Sequence, residues 1–135
     1  MNRIAISALV AVHLIATLWH GNAHAVLAVG LSPAQNAFVY LVILLAPLVA
    51  AGLVWTRYST VGLWVFFASM LGAFLFGAYY HYVFVSPDNI AHLPAGSASA
   101  HSQFIASAAT IAVIELAAAL YGAFCLGALP PVAYR

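Results

Sequence analysis

The stretch IAISALVAVHLIATLWHGNAHAVLAV, residues 4–29, is an apolar run with a polar stripe along it. A helix that crosses a bilayer needs about 20 apolar residues. Side chains three, four or seven positions apart share a helix face, so His13, Thr17, His20 and His24 lie on one side. Polar residues within a membrane helix usually face a bundle interior and often mark a function. The stripe therefore predicts a membrane helix and indicates where its chemistry lies.

The composition of the whole chain points the same way. Of its 135 residues, 67% are hydrophobic and 4% are charged, and the mean hydropathy is +1.10. A soluble domain of this size exposes too much of its surface to hide so many apolar side chains. A net charge of +1 excludes a basic nucleic-acid surface. The single cysteine, Cys125, excludes an intrachain disulfide and a cysteine metal cluster.

Four apolar runs divide the chain, at about residues 4–29, 37–55, 61–85 and 104–129. Each is close to or above spanning length, and backbone groups in lipid must be hydrogen-bonded within the segment, which favours helices. Glycine, proline and serine separate the runs, and Pro130-Pro131 ends the fourth. We therefore predict an all-α, single-domain integral membrane bundle of four transmembrane helices over residues 1–135.

The arginines predict the orientation. Arg3, Arg57 and Arg135 precede the first run, separate the second from the third and follow the fourth, which places all three on one side of a four-span protein. The positive-inside rule makes that side the cytoplasm. Both termini are then cytoplasmic, the loops near residues 30–33 and 86–102 face outward, and the expected location is a bacterial-type inner membrane, with the lipid bilayer as partner.

The N-terminal segment also resembles a cleavable signal peptide, because Ala23 and Ala25 satisfy a small-residue cleavage rule. However, His13 interrupts the apolar core and the apolar run continues past the cleavage position. We therefore expect the first helix to be retained.

Most histidines fall on the outward side of this topology. Imidazole is a common ligand of zinc and copper. His20 and His24 can reach one ion from one helix turn, and His81 adds a ligand if helices one and three are neighbours at their outer ends. Loop residues can complete the set, so the candidate metal ligands are His20, His24, His81, Asp88, His92 and His101.

A second polar pair is predicted near mid-membrane. His13 and Glu115 lie at similar depth, and a buried ionisable group there is normally paired. We expect the two to face each other across a contact between helices one and four, as a structural pair, a proton relay or a second cofactor or cation site.

Several functions remain open at this point. The first is a transition-metal protein that binds copper or zinc for metal handling, cofactor assembly or redox chemistry. Alternatives are a haem b or quinone electron-transfer protein with axial histidines, and an accessory subunit of a larger membrane complex or homo-oligomer with no site of its own. A lone histidine at a helix end is more often an interfacial residue than a ligand. The motifs typical of zinc proteases, serine hydrolases and di-iron bundles are absent from the sequence.

Overall fold

The computed structural model describes residues 1–129; residues 130–135, with Pro130, Pro131 and Arg135, lie outside the described part. It contains four long helices, each apolar enough to cross a membrane: α1 (Arg3–Val26), α2 (Pro33–Leu53), α3 (Ser59–Val83) and α4 (Ala98–Gly127). Within residues 1–129 the protein has no β-strand. The predicted all-α, four-helix membrane architecture is confirmed.

Side-chain caps set where three of the helices begin. The Asn2 side chain accepts hydrogen bonds from the first turn of α1, and Ser32 forms a reciprocal capping box with Gln35 at the start of α2. Ser97 caps α4 by accepting from the Ala100 N–H. Because of this cap, α4 begins at Ala98 rather than at Phe104, where the apolar run begins.

Helix order around the bundle is α1, α4, α3, α2. The main contacts join α1 to α4, α4 to α3, α3 to α2, and α1 to the C-terminal part of α2, Ala46–Leu53. Helices α1 and α3 are therefore diagonal, and the expectation that they are neighbours is wrong. Apolar periodicity identifies a buried face on each helix, but it does not determine which helices become adjacent.

Two apolar clusters hold the ends of the bundle. One lies at the end with the α2–α3 turn and includes residues of all four helices, among them Ile6, Ala50, Phe66 and Ala118. The other covers the opposite end and consists of Ala23, Leu27, Val29, Ala100 and Phe104. The buried polar side chains of α1, His13 and His20, lie between these clusters.

Two helices change hydrogen-bond register along their length. Val39–Leu45 of α2 and Tyr79–Val83 of α3 are π-helical. The first lies just before Pro47, which has no N–H to donate. The second contains His81. Such widened turns are rare and frequently occur at functional sites.

The close approach at the α2–α3 turn requires a glycine. A Cβ atom on Gly62 would lie 2.8 Å from Leu53 Cβ and 2.8 Å from the Val54 backbone nitrogen, whereas one on Gly52 would meet nothing within 4 Å. We expect Gly62→Ala to destabilise the protein by about 1–3 kcal/mol, the usual cost of overpacking. Gly52→Ala is the matched control and should be neutral or stabilising, since alanine favours helix. Thermal unfolding in detergent measures both, and equal midpoints for the two variants would contradict this packing.

Candidate metal centre

Three imidazole rings converge inside the bundle near the loop that joins α3 to α4. His20 Nε2 lies 3.0 Å from His81 Nε2 and 3.1 Å from His24 Nε2. Within residues 1–129, these three are the histidines whose ligand atoms form a compact group, all within 4.8 Å of one another. The predicted convergence is confirmed, and it is made by side chains that reach across the diagonal between α1 and α3.

The far side of the His20 ring is held by α4. His20 Nδ1 lies 2.9 Å from Ser107 Oγ, and the Ser107 hydroxyl donates its only proton to the Phe104 carbonyl at 3.0 Å. In this rotamer the hydroxyl oxygen accepts from His20, and neutral His20 carries its proton on Nδ1 and a lone pair on Nε2. In the other rotamer the hydroxyl group donates to Nδ1, and the imidazole proton lies on Nε2.

Backbone carbonyls hold the other two rings in the same way. His81 Nδ1 donates to the Asp88 carbonyl at 3.0 Å, and His24 Nδ1 donates to the Val29 carbonyl at 3.3 Å. A carbonyl oxygen only accepts, so both neutral rings also carry the proton on Nδ1. The Nε2 atoms of all three rings therefore face one another, and those of His24 and His81 carry lone pairs. A bound cation would accept all three Nε2 lone pairs; without one, an Nε2–H on His20 can bond to a neighbouring ring.

The spacing of these nitrogens suits a metal ion. Zinc–imidazole bonds of about 2.0–2.1 Å in a tetrahedron separate the ligand atoms by about 3.3 Å. The observed separations of 3.0 and 3.1 Å are only a few tenths shorter. The carbonyl–histidine contacts are the outer-shell interactions that orient metal-binding imidazoles. Ring orientation and spacing therefore both favour metal coordination.

Asp88 supplies a carboxylate beside the three rings. Its side chain is 6% exposed, and Oδ1 lies 3.2 Å from His24 Nε2 and 3.1 Å from His81 Nδ1. His81 Nδ1 donates its hydrogen bond to the backbone carbonyl of Asp88 rather than to the carboxylate. Among residues 1–129, neither carboxylate oxygen of Asp88 has a hydrogen-bond partner. Burial raises the pKa of Asp88, but the contact with His81 and the electrostatic influence of the nearby imidazoles lower it more, so the pKa lies below its usual value. A buried carboxylate that accepts no hydrogen bond among residues 1–129 is a candidate for a fourth ligand, although the compact group of ligand atoms consists of the three histidines alone.

A strained turn places the carbonyl that holds His24. After α1, the Val29 N–H bonds to the His24 carbonyl and the Ala28 N–H bonds to that of Ala25, which together form a Schellman motif. Ala28 has φ 52°, a left-handed conformation usually left to glycine. The turn brings the Val29 carbonyl back over the end of the helix. Backbone strain of this kind is typical of functional sites.

Phe104 forms an apolar base under the rings. It is fully buried, and its ring centroid lies 5.0 Å from that of His20, 4.9 Å from that of His24 and 5.7 Å from that of His81. Phe104 restricts the motion of all three imidazoles and shields them from solvent. It comes from α4, the helix between α1 and α3.

His13 and Glu115 form the second polar pair. His13 Nε2 lies 3.1 Å from Glu115 Oε1, with side chains 2% and 3% exposed. Thr17 donates its hydroxyl proton to the His13 carbonyl at 2.9 Å, so its oxygen, 3.4 Å from His13 Nε2, can only accept. His13 Nε2 and Glu115 Oε1 therefore share one hydrogen bond, with the proton on either the imidazole or the carboxyl group. The predicted contact between helices one and four is confirmed; its role as a cofactor site stays a prediction.

The remaining two proposed ligands lie apart from this group. His101 Nε2 contacts the Pro94 carbonyl at 2.8 Å and so helps to fold the α3–α4 loop. His92 is exposed in the same loop. The structure does not bring either histidine into the three-histidine group.

A cavity of about 400 Å³ connects the two polar sites. Its wall includes all three clustered histidines, Asp88 and Glu115, together with apolar side chains from α1, α2 and α3. The three-histidine centre and the Glu115 carboxyl group therefore face one shared space.

Several contributors were not identified from the sequence. Ser107, Ile111 and Glu115 follow one another at intervals of four residues, and that spacing could have placed Ser107 on the same inner face of α4. Phe104 looked like one apolar residue among many. The roles of the Val29 and Asp88 backbone carbonyls could not be predicted from residue type, because every residue has a carbonyl.

Replacing Glu115 tests whether the buried pair stabilises the bundle. Glu115→Gln should change the free energy of unfolding by less than about 1 kcal/mol, because an amide oxygen still accepts from His13. Glu115→Leu should cost about 1–3 kcal/mol, because it leaves the His13 N–H unpaired. The double variant His13→Leu/Glu115→Leu should lose less stability than the sum of its single variants. Additive losses in thermal unfolding would show that the contact contributes no coupling.

The chain matches no protein-family model, and comparisons with curated proteins and with solved structures find no significant match. The functional argument therefore depends on the molecule itself. Within residues 1–129 it is a multi-pass bundle of membrane-spanning helices with a buried cluster of three histidines.

Proposed function

We propose that this protein binds one transition-metal ion, copper or zinc, through Nε2 of His20, His24 and His81, with Asp88 as the fourth ligand. The observation that carries the proposal is the convergence of three Nε2 atoms, with His20 Nε2 3.0 and 3.1 Å from the other two, on rings whose Nδ1 atoms are each held by a hydrogen-bond partner. A metal ion satisfies all three lone pairs at once. The function is metal handling, cofactor assembly or redox chemistry at the membrane.

The donor atoms decide which metals fit. Three imidazoles and one carboxylate serve both zinc and copper(II), whereas a thiolate would favour softer ions. Cys125 packs in the apolar cluster at the opposite end of the bundle and is not available to this centre.

The same geometry disfavours haem b. Two axial histidines bind haem iron from opposite faces of the macrocycle. His20 and His81, with Nε2 atoms 3.0 Å apart, leave no room for a porphyrin between them.

Metal analysis of the purified protein tests the proposal. Wild-type protein in mild detergent, reloaded with zinc or copper(II) and desalted, should hold about one ion per chain. His24→Ala should abolish stoichiometric retention, because it removes a ligand that is only half-buried and leaves the fold intact. His92→Ala is the matched control and should bind like wild type. A wild-type protein without metal, or equal loss in both variants, would refute the site.

Ser107→Ala probes the anchor rather than a ligand. It removes the acceptor that orients His20, and outer-shell changes of this kind weaken metal affinity by about 10–100-fold. The variant should still bind one ion at saturation. Competition with a chelator of known affinity measures the shift, and an unchanged affinity would show that Ser107 does not orient His20.

We further propose that the centre lies at the outer, periplasmic side of a bacterial-type inner membrane, with both termini cytoplasmic, as Arg3 and Arg57 favour. In a Cys125→Ser background, single cysteines at Gly30 and Ala95 should react with an impermeant maleimide from outside. A cysteine at Thr56 should react only after the membrane is opened. Reaction of the Gly30 or Ala95 cysteine from the cytoplasm alone would reverse the orientation.

A further inference from the structure

The cavity lies between α1 and the N-terminal part of α2. Its walls include Leu18 and Gly21 from α1 and Tyr40 from α2, and its inner end reaches the three histidines and Glu115. A volume of about 400 Å³ is within the range of small-molecule sites. Because α1 packs on α2 mainly through Ala46–Leu53, the two helices leave this space open towards their other ends.

The mouth of the cavity faces the surroundings of the bundle within the membrane-spanning segments. Leu18 and Tyr40, which both line it, are each 63% exposed. Both belong to helices long and apolar enough to cross the bilayer. A molecule dissolved in the lipid can therefore enter sideways, between α1 and α2.

Gly21 keeps part of this space empty. It lies in the middle of the α1 stripe, next to His20, and a Cβ atom there would meet nothing within 4 Å. Glycine inside a helix is less stable than alanine. No packing contact in the bundle requires the glycine, so the room it leaves is available to a ligand.

The inner end of the cavity is polar on two sides. A Cβ atom on Gly77 would lie 3.7 Å from His81 Cδ2 and 3.8 Å from Glu115 Oε2. Gly77 is therefore adjacent to both the His81 ring and the Glu115 carboxyl group. His13 occupies Glu115 Oε1, and among the described residues Oε2 has no hydrogen-bond partner. Oε2 therefore offers a free hydrogen-bonding position beside the metal centre.

We propose that the cavity binds an uncharged, lipid-soluble molecule with a hydroxyl group, which enters from the bilayer and places that group at Glu115 and the three-histidine centre. The position of the hydroxyl next to a metal rests on the proposed function above. The cavity and Glu115 Oε2 do not depend on it.

The chemistry of the inner end favours a hydroxyl group over other polar groups. If Glu115 is ionised, the ligand must donate a hydrogen bond to it. If Glu115 is protonated, it can donate one to the ligand. A hydroxyl group can both donate and accept, so it suits either state. An ether oxygen only accepts. A charged ligand would have to lose its hydration to enter from lipid, which is costly. Apolar walls with one polar end match a phenol or alcohol with a hydrocarbon tail.

Photolabelling in lipid nanodiscs tests this binding. The probe is para-heptylphenol with a diazirine on its tail, and the competitors are unlabelled para-heptylphenol and its methyl ether, para-heptylanisole. We expect the label on peptides of α1 and α2 that line the cavity. The phenol should compete about tenfold better than the ether, because only the phenol can donate to Glu115. Equal competition by the two would overturn the hydroxyl assignment.

Two leucine variants show whether the cavity is the site. Gly21→Leu fills the open space and should abolish specific labelling. Gly52→Leu places the same side chain on α2, where a Cβ atom also meets nothing within 4 Å and which is not part of the cavity wall, and should label like wild type. Unchanged labelling of Gly21→Leu would overturn the proposal.

Zinc and copper content, measured on each sample after reloading, separates the two proposals. Phenol-selective labelling of a protein that can retain neither metal would support the cavity and refute the metal site. Zinc retention without phenol-selective labelling would refute the cavity ligand and leave the metal site standing.

Discussion

The bilayer offers no water to satisfy a polar side chain, and the organisation of this protein follows from that constraint. Only 4% of the residues are charged. Within the bilayer, no solvent is available to hydrogen-bond the imidazoles of α1. Each buried polar group therefore needs a protein partner, because an unpaired one in hydrocarbon costs several kcal/mol. His13 is hydrogen-bonded to Glu115, and His20 is hydrogen-bonded to Ser107. The exception is Asp88, whose carboxylate oxygens stay without a hydrogen bond among residues 1–129.

The three-histidine centre is preorganised mainly by the backbone. The turn after α1 places the Val29 carbonyl against His24, and the loop after α3 places the Asp88 carbonyl against His81. Backbone carbonyls rather than side chains therefore orient two of the three rings. Part of the free-energy cost of this turn lies in the left-handed backbone conformation of Ala28. Such a turn would have little reason to persist if the His24 ring were free to rotate. Rings fixed in this way bind an ion without losing much further conformational freedom.

Sequence patterns predicted those parts of the structure that depend on one helix or on depth. The spacing of His13, Thr17, His20 and His24 was enough to place them on one inner face, and equal depth was enough to pair His13 with Glu115. Helix order was not predictable, since all four helices are apolar on most faces and could pack in several orders. The start of α4 depends on the Ser97 cap rather than on hydropathy. The cavity depends on the angle between α1 and α2, which no local pattern encodes.

The diagonal placement of α1 and α3 has a mechanical consequence. These helices have no extensive interface of their own, yet the rings of His20 and His81, separated by 61 residues of sequence, meet at 3.0 Å. An ion held there would act as a cross-link over a long loop, and a cross-link restricts an unfolded chain more as the loop it closes grows longer. The apolar cluster at the α2–α3 turn already fastens the opposite end of the bundle. Occupancy of the centre would then add a link between α1 and α3 at the end where the second apolar cluster joins only α1, α4 and the loops beside them.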